Sequence, residues 1–132
     1  MAAGVGGPAA VGAAELAAVG AADLAAVEAG LRATLEPYAG RLEWATIYGL
    51  PTLRRRGAKA HDWFASVKPA ATHVSLFLLP VHTWPDLLDG CTQELCARKS
   101  GASTFAFKTL PEALADDVEA LLARAFERYL AG

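Results

Sequence analysis

Apolar residues recur at helical spacing near both ends of the chain and alternate with polar residues in between. The first helix is marked by apolar residues spaced three or four apart, namely Leu24, Val27, Leu31 and Leu35. This spacing places them on one side of a helix, which Pro37 and Gly40 are predicted to end. Before it, AAELAAVG followed by AADLAAVE over residues 13–28 predicts a low-complexity helix that is weakened at Gly20.

The middle of the chain carries the alternation that is typical of β-strands. Strands are predicted at residues 42–47, 52–55, 61–68, 73–79 and 103–108. We interpret Gly49-Leu50-Pro51 as a break, and Pro80 as the end of the fourth strand. The link at residues 69–72 is short enough for a hairpin. Together these segments predict an antiparallel sheet of about five strands.

A long helix is predicted at about residues 110–130, and short helices are predicted at 84–88 and 92–98. The long helix should bury the apolar stripe formed by Leu114, Val118, Leu121, Leu122, Ala125 and Tyr129. Its acidic residues lie in the first half, whereas Arg124 and Arg128 lie near the end, an order that complements the helix dipole. The predicted fold class is therefore α+β, with an antiparallel sheet flanked by N- and C-terminal helices.

Two similar segments each follow a predicted strand: TWPDLL, which begins at Thr83, and TLPEAL, which begins at Thr109. Both place proline and an acidic residue two and three positions after threonine. In a capping box the threonine is the N-cap and the acidic residue reaches back to it, while proline is tolerated in the first helical turn. We interpret both copies as strand-to-helix junctions. His82 and Trp84 have no counterparts in the second copy, so a function at the first would depend on them.

The length of 132 residues suits one domain. We assign that domain to residues 13–132 and predict disorder for the Gly/Ala/Pro-rich residues 1–12. A net charge of -2 argues against a nucleic-acid or membrane-surface partner. Residues 1–20 lack a basic start, are interrupted by glycine and contain Glu15, so we predict neither a signal peptide nor a membrane span. Cytoplasmic residence is the resulting expectation.

The two cysteines are Cys91 and Cys96. If both lay on one helix, helix geometry would separate their Cα atoms by roughly 8–9 Å. That separation exceeds the ~7 Å limit for a disulfide. We therefore predict two plain thiols in a reducing compartment.

Four segments carry a family resemblance, in the order WATIYGLPTLRRRG, HVSLFLLPVHTWPDLLDG, KSGASTFAFKTL and a closing helix that ends in FERYL. Across about two-thirds of the chain, the protein resembles the YdhG-like domain family of small bacterial proteins. The resemblance implies an antiparallel sheet with flanking helices. It also implies iron as a ligand, since one branch is described as frataxin-like intracellular iron chaperones. The chain departs from the family at His82, where tyrosine is common, and at Ala106, where asparagine is common.

Two sets of side chains suit a metal ion. Carboxylates bind hard cations such as iron, and four lie in the first half of the last helix: Glu112, Asp116, Asp117 and Glu119. The alternative is a solvent-exposed helix face that complements the dipole. His61, His73 and His82 are also candidate ligands. They lack a metal-binding spacing, and the simpler interpretation places them at the surface or at strand ends.

Aromatic residues fall on or beside the predicted sheet, namely Trp44, Tyr48, Trp63, Phe64, Phe77 and Trp84. An aromatic sheet face forms either a pocket for an apolar ligand or an interface with a second subunit. Packing of most of these rings in the core is the simpler alternative. The predicted ligand contacts are His82, Trp84, Trp63, Phe77 and Lys108.

The basic run Arg54-Arg55-Arg56 with Lys59 suits a phosphate or an acidic partner, against the alternative of a solvated hairpin tip. Strand alternation should point Arg55 away from its neighbours. No local signature of a nucleophile, phosphate loop or dinucleotide site is present, so no catalytic residue is assigned. We predict a non-catalytic binding or accessory protein of the YdhG-like type, with iron carriage implied by the resemblance. The alternative is a homodimeric module that binds a small ligand or a protein through its aromatic sheet face.

Overall fold

The computed structural model describes residues 13–59 and 62–131, and for residues 13–22 it describes the backbone only. The elements in chain order are α1 (Ala13–Ala39), β1 (Glu43–Ile47), β2 (Leu50–Arg54), β3 (Ala65–Pro69), β4 (Val74–Leu78), α2 (Leu79–Thr83), a 3₁₀ helix (Pro85–Gly90), α3 (Gln93–Cys96), β5 (Thr104–Phe107) and α4 (Glu112–Ala131). The predicted α+β class is confirmed. The segment predicted to be disordered, residues 1–12, lies outside the described residues.

The five strands form one sheet in chain order, and each is antiparallel to its neighbour. Directly opposite residues point to the same face of a sheet, so the register defines both faces. Val67 lies opposite Leu76, which lies opposite Phe105, and all three are buried. Leu53, opposite Ala65, continues this apolar face onto β2. The result is one apolar face that runs from β2 to β5.

The apolar face packs beneath the two long helices. Helix α1 lies against β3 and β4, and α4 lies against α1 and the short helices. All six residues of the stripe predicted for α4 are buried, and Phe126 joins them. A Cβ atom on Gly30 would lie only 2.9 Å from Leu110 Cδ2, so this glycine lets the segment before α4 approach α1 closely. Helices and sheet therefore share one hydrophobic cluster.

Helix α1 passes the proline that was predicted to end it. Pro37 lies in its final turn, and the helix continues to Ala39. Proline removes one backbone donor, which near the C-terminus leaves the preceding turns intact. The chain then reverses, because the N–H groups of Arg41 and Leu42 both donate to the carbonyl of Tyr38 at 3.1 Å.

The break between the first two strands, predicted at residues 49–51, lies earlier in the chain. Tyr48 and Gly49 form a two-residue turn with φ values of 53° and 77°, and paired positive φ values match the twist of a β-hairpin. Strand β2 therefore starts at Leu50. Pro51 lies opposite Thr46, outside the segment that pairs with β3, where its missing N–H is not needed.

Three further boundaries also differ from the prediction. Strand β3 starts at Ala65, and His61, its predicted start, lies outside the described residues. Strand β4 ends at Leu78 because Leu79 opens α2, a helix that the sequence did not predict. Pro80 lies in the first turn of α2, where proline favours a helix start.

The capping box predicted at Thr83 is wrong. Thr83 is the last residue of α2, and Trp84 is the N-cap of the 3₁₀ helix without a side-chain hydrogen bond. The chain enters one helix before this threonine, so its hydroxyl faces back toward the Leu79 carbonyl at 3.5 Å. Pro85 lies in the first turn, as predicted.

The capping box predicted at Thr109 is also wrong, because the helix starts later than predicted. Helix α4 begins at Glu112, and its first hydrogen bond runs from the Ala115 N–H to the Pro111 carbonyl at 2.9 Å. Pro111 therefore stands in the cap position, two residues after Thr109. Both copies mark a helix start, but the threonine is not the cap in either.

Tyr129 joins the end of α4 to the sheet. Its hydroxyl accepts a hydrogen bond from the Arg55 N–H at 2.9 Å and donates one to the Asp62 carbonyl at 3.1 Å. The Arg55 guanidinium lies 4.5 Å from the centroid of the buried tyrosine ring. One side chain thus holds the end of β2, the approach to β3 and the last turns of α4 together.

We predict that Tyr129→Phe destabilises the protein, because the substitution leaves two backbone groups without their partner. The expected loss of unfolding free energy is about 1–3 kcal/mol, measured by urea denaturation. Tyr48→Phe is the matched control, since the Tyr48 side chain is 88% exposed, and it should change stability by less than about 0.5 kcal/mol. Equal losses in the two variants would contradict the anchoring role of the Tyr129 hydroxyl.

Candidate functional site

A cleft of about 670 Å³ opens at the end of the sheet where β2 ends, β3 begins and β4 ends. Antiparallel pairing brings these three strand ends together, and Tyr129 brings α4 to the same place. Its lining residues are Arg55, Arg56, Gly57, Ala58, Lys59, Asp62, Trp63, Leu79, Pro80, Thr83, Trp84 and Tyr129. Aromatic and cationic side chains therefore meet in one concave surface.

Trp63 and Trp84, both half-buried, form the aromatic part of the cleft. The buried residue after Trp63, Phe64, donates its N–H to the Leu53 carbonyl at 2.8 Å. Trp63 itself is only partly buried and lines the cleft. Trp84 sits between α2 and the 3₁₀ helix, and its N–H donates to the Pro80 carbonyl at 2.7 Å. Both indoles are thus placed by backbone hydrogen bonds of adjoining elements.

A tight turn presents the cationic side chains. The Ala58 N–H donates to the Arg55 carbonyl at 3.0 Å, and Gly57 occupies the third position with φ 76°. A positive φ at that position is the signature of a type II turn and favours glycine. Arg56 and Lys59 lie on either side of this glycine, and Arg56 also donates to the Gly40 carbonyl at 3.2 Å.

Arg55 forms the inner wall and is held by Tyr129. Its guanidinium donates to the Tyr129 carbonyl and stacks over the ring. Arg55 Nε is buried and makes no hydrogen bond within the described part of the chain; Asp62 Oδ2 lies 3.5 Å away. Asp62 is the one acidic residue among the described lining, against three cations. The cleft therefore carries an excess of positive charge.

Burial raises the pKa of the Tyr129 phenol, and its hydrogen bond with the Arg55 backbone opposes this only in part. The phenol is protonated at neutral pH and donates to the Asp62 carbonyl, and the raised pKa extends this state to more alkaline pH. This keeps the wall neutral at that point and preserves the geometry of the Arg55 side chain above the ring.

A surface ion pair holds the outer side of Trp84. The Asp86 carboxylate accepts two hydrogen bonds from Arg128, at 2.9 and 3.1 Å. The Arg128 guanidinium lies 5.3 Å from the centroid of the Trp84 ring. The hydrogen bond from Arg128 lowers the pKa of Asp86. The acidic residue of TWPDLL thus positions a cation on the tryptophan instead of capping a helix.

The structure brings together two of the five predicted ligand contacts, Trp63 and Trp84. His82 is exposed on α2, and Lys108 is exposed after β5. Phe77 lies opposite Ser66, on the face of the sheet that points away from the long helices. None of these three lines the cleft.

The aromatic residues also do not share one sheet face. Trp44 pairs with Leu53, on the helix side of the sheet, whereas Phe77 points to the other side. Phe64 is buried in the core, and Tyr48 projects into solvent from the first hairpin. Alternation of the register separates side chains that are close in the sequence. The aromatic surface on which the alternative function depended is not assembled.

The predicted iron-binding carboxylates do not converge. Glu112, Asp116 and Glu119 are exposed on α4, and Asp117 accepts a hydrogen bond from the Thr92 hydroxyl at 2.7 Å. Among the residues that the structure describes, no three His, Cys, Asp or Glu side chains group closely enough to hold a metal ion.

Of the predicted histidine ligands, His73 and His82 do not join these carboxylates. His61 lies outside the described residues, and His73 contacts the neighbouring Thr72 hydroxyl at 3.1 Å. His82 projects from α2.

Sequence reasoning identified part of the cationic wall but not its partner on α4. Alternation correctly separates Arg54, which pairs with Glu43 at 2.9 Å, from Arg55, which turns toward α4. Tyr129 was assigned only to a buried stripe. A tyrosine that ends an apolar stripe carries a polar tip in need of a partner, and this signal points to a contact at the end of α4.

Fold and cleft together define a small α+β protein built on one five-stranded antiparallel sheet, with a cationic and aromatic cleft at one end. Comparison of the chain with protein-family models, with curated proteins and with solved structures gave no match. Within residues 13–59 and 62–131, no helix is both long and apolar enough to cross a membrane.

We predict that Asp86→Asn releases Arg128 from the Trp84 ring. The indole N–H resonance of Trp84 should shift, whereas that of Trp44, which lies on β1, should not. Asp89→Asn, on the same 3₁₀ helix, is the matched control and should leave both resonances in place.

Acid should reproduce this shift in the unmodified protein. Because the pKa of Asp86 is lowered from 3.8, the ion pair is intact above that pH and is lost only as the pH falls below it. An unchanged Trp84 resonance in Asp86→Asn would contradict the contact.

Proposed function

We propose that this protein is a non-catalytic binding module that holds a small organic anion with a flat apolar body in the cleft between Trp63 and Trp84. The observation that supports this most strongly is the meeting of two half-buried indoles with three cationic side chains in one concavity. Small-molecule sites generally combine an apolar lining with a few convergent polar groups.

The apolar part of the cleft suits a planar body. Trp63 and Trp84 offer two indole surfaces, and Leu79 and Pro80 add aliphatic contact. Aromatic faces favour offset-stacked or edge-to-face partners. The volume of about 670 Å³ lies within the ordinary range for small-molecule sites.

The polar part suits an anion. Lys59 is exposed at the rim, and Arg56 stands beside it on the same turn. The one acidic residue of the described lining, Asp62, lies against Arg55, with 3.5 Å between Asp62 Oδ2 and Arg55 Nε. Arg55 adds a third cationic side chain to the lining. A carboxylate or phosphate group accepts hydrogen bonds from such donors readily.

We favour binding over catalysis because the hydroxyl groups of Tyr129 and Thr83 in the cleft already form hydrogen bonds within the protein. Both hydrogen-bonding roles of the Tyr129 hydroxyl are used, by Arg55 and Asp62. The Thr83 hydroxyl faces the Leu79 carbonyl. Nucleophilic catalysis needs a nucleophile with an adjacent base, and the described lining offers neither histidine nor cysteine for these roles.

Iron carriage, homodimer formation and cytoplasmic residence remain predictions from the sequence. Iron carriage rests on the resemblance to the YdhG-like family, with the α4 carboxylates as its ligands. Calorimetry with ferrous iron tests it, and the absence of heat at millimolar metal would exclude this function. Light scattering separates a monomer from a dimer.

We predict that naphthalene-2-carboxylate binds and quenches tryptophan emission, and that its neutral amide binds more weakly. Lys59→Gln should weaken binding of the carboxylate by about tenfold, since loss of one charge-assisted contact costs about 1.5 kcal/mol. Lys68→Gln is the matched control, because Lys68 is exposed on β3 outside the cleft. Equal affinity for the carboxylate and the amide would contradict an anion site.

A second pair of variants tests the aromatic wall. Trp84→Ala should weaken binding by about tenfold or more, as stacking on an aromatic side chain contributes roughly 1–3 kcal/mol. Trp44→Ala removes a tryptophan that does not line the cleft and should leave the affinity unchanged. Calorimetry measures the affinity of both variants without using fluorescence, so the loss of a tryptophan fluorophore does not affect the comparison. Similar affinities in the two variants would rule out binding between Trp63 and Trp84.

A further inference from the structure

The two cysteines stand at either side of the start of α3. Thr92 is the N-cap, and its hydroxyl oxygen accepts the Leu95 N–H at 3.2 Å. Cys91 precedes the cap with extended backbone, φ -73° and ψ 144°, and Cys96 is the fourth helical residue. Side chains at these two positions meet across a helix start. The premise that both cysteines lie on one helix, which excluded a disulfide, is therefore wrong.

The two thiols are neighbours and differ in accessibility. Cys91 stands immediately before the N-cap and Cys96 in the first turn of α3, the two positions whose side chains pack together at helix starts. Cys91 packs against the hydrophobic core and is half-buried, whereas Cys96 is exposed. One sulfur atom is thus open to a reagent in solution, and the second is held beside it.

The surroundings of Cys91 disfavour its thiolate. Burial, and then the neighbouring Cys96, raise the pKa of Cys91 to about 11. From α4, Arg124 opposes this rise and Asp117 adds to it. The thiolate is the nucleophilic form, so Cys91 reacts little by itself near neutral pH.

We propose that Cys96 and Cys91 form a redox-active pair that reacts with hydrogen peroxide to give an intramolecular disulfide. The Cys96 thiolate attacks one peroxide oxygen, the O–O bond breaks, and a sulfenic acid and hydroxide form. Cys91 first loses its proton, and its thiolate attacks the Cys96 sulfur, so that the S–S bond forms and the S–O bond breaks. The hydroxide that leaves takes up this proton and becomes water. In total, two thiols and one peroxide give one disulfide and two waters.

The disulfide would fasten the connection between the 3₁₀ helix and α3. This connection already contacts α4, because Thr92 donates to Asp117 at 2.7 Å. On its other side, a Cβ atom on Gly90 would meet the Arg124 guanidinium at 3.1 Å. Neither cysteine lines the ligand cleft, so the redox pair stands independently of the binding proposal.

The test treats the reduced full chain with stoichiometric hydrogen peroxide and follows it by intact mass and non-reducing peptide mapping. The wild-type chain should lose two hydrogen atoms and yield a peptide that links Cys91 to Cys96. In Cys91→Ser, a sulfenic acid should accumulate at Cys96 and be trapped by dimedone. In Cys96→Ser, peroxide should consume Cys91 at least about tenfold more slowly than it consumes Cys96 in Cys91→Ser.

Two results would overturn the proposal: a sulfenic acid at Cys96 that persists in the wild-type chain, or a disulfide that forms only between chains. Cys91→Ala serves if the serine variant is unfolded by circular dichroism, since alanine leaves no buried hydroxyl. Below the pKa of Cys91, the rate at which the Cys96 sulfenic acid is converted to the disulfide should rise about tenfold for each unit increase in pH. This rate should follow the thiolate fraction of Cys91. A closure rate that does not change with pH would exclude Cys91 as the attacking sulfur.

Discussion

The hydroxyl of Tyr129 bridges the backbone of Arg55 and that of Asp62, and the cleft depends on this bridge. Without it, the polar contact between the end of α4 and the sheet would depend on the Arg55 side chain alone, and the surrounding apolar packing has no preferred direction. The two hydrogen bonds fix where the connection between β2 and β3 crosses the helix. They also place the Arg55 guanidinium over the tyrosine ring. Buried backbone groups cost free energy when they are unpaired, so this arrangement resists displacement.

The cleft is a consequence of how three strands end. Glycine at position 57 lets the chain turn tightly after β2 and places Arg56 and Lys59 at the rim. The opening of α2 immediately after β4 carries the chain across the same end of the sheet and delivers Trp84. Just before β3, Phe64 is buried in the core while its neighbour Trp63 lines the cleft. The residues that line the cleft therefore lie mostly in the connections, while the sheet and the two long helices hold these connections in place.

Local pattern predicted the fold better than it predicted the site. Periodicity located both long helices and the five strands, because burial of an apolar face determines these elements. It failed where two signals compete: Pro80 was interpreted as a strand end, although it also suits the first turn of a helix. Likewise, Asp86 was assigned to a cap but pairs with Arg128, which lies 42 residues later in the chain. Local spacing carries no information about such a partner.

The same limit explains the predicted ligand set. Three predicted ligand contacts are close in the sequence to Trp84 or to a strand, namely His82, Phe77 and Lys108. In the folded chain they lie on other surfaces than the cleft, because of helix rotation and strand register. Tyr129 and Arg55 are 74 residues apart and meet at the cleft. Their contact follows from the packing of α4, which a reading of residue spacing does not supply.

The central claim is that an organic anion binds between Trp63 and Trp84 beside the basic turn. The most direct test is the amide and indole NMR spectrum of the full chain, recorded with and without naphthalene-2-carboxylate. The account predicts shifts at the indoles of Trp63 and Trp84 and at the amides of residues 55–59, with Trp44 and Lys108 unchanged. Shifts centred on Phe77 or Lys108, with the two cleft indoles unaffected, would contradict it.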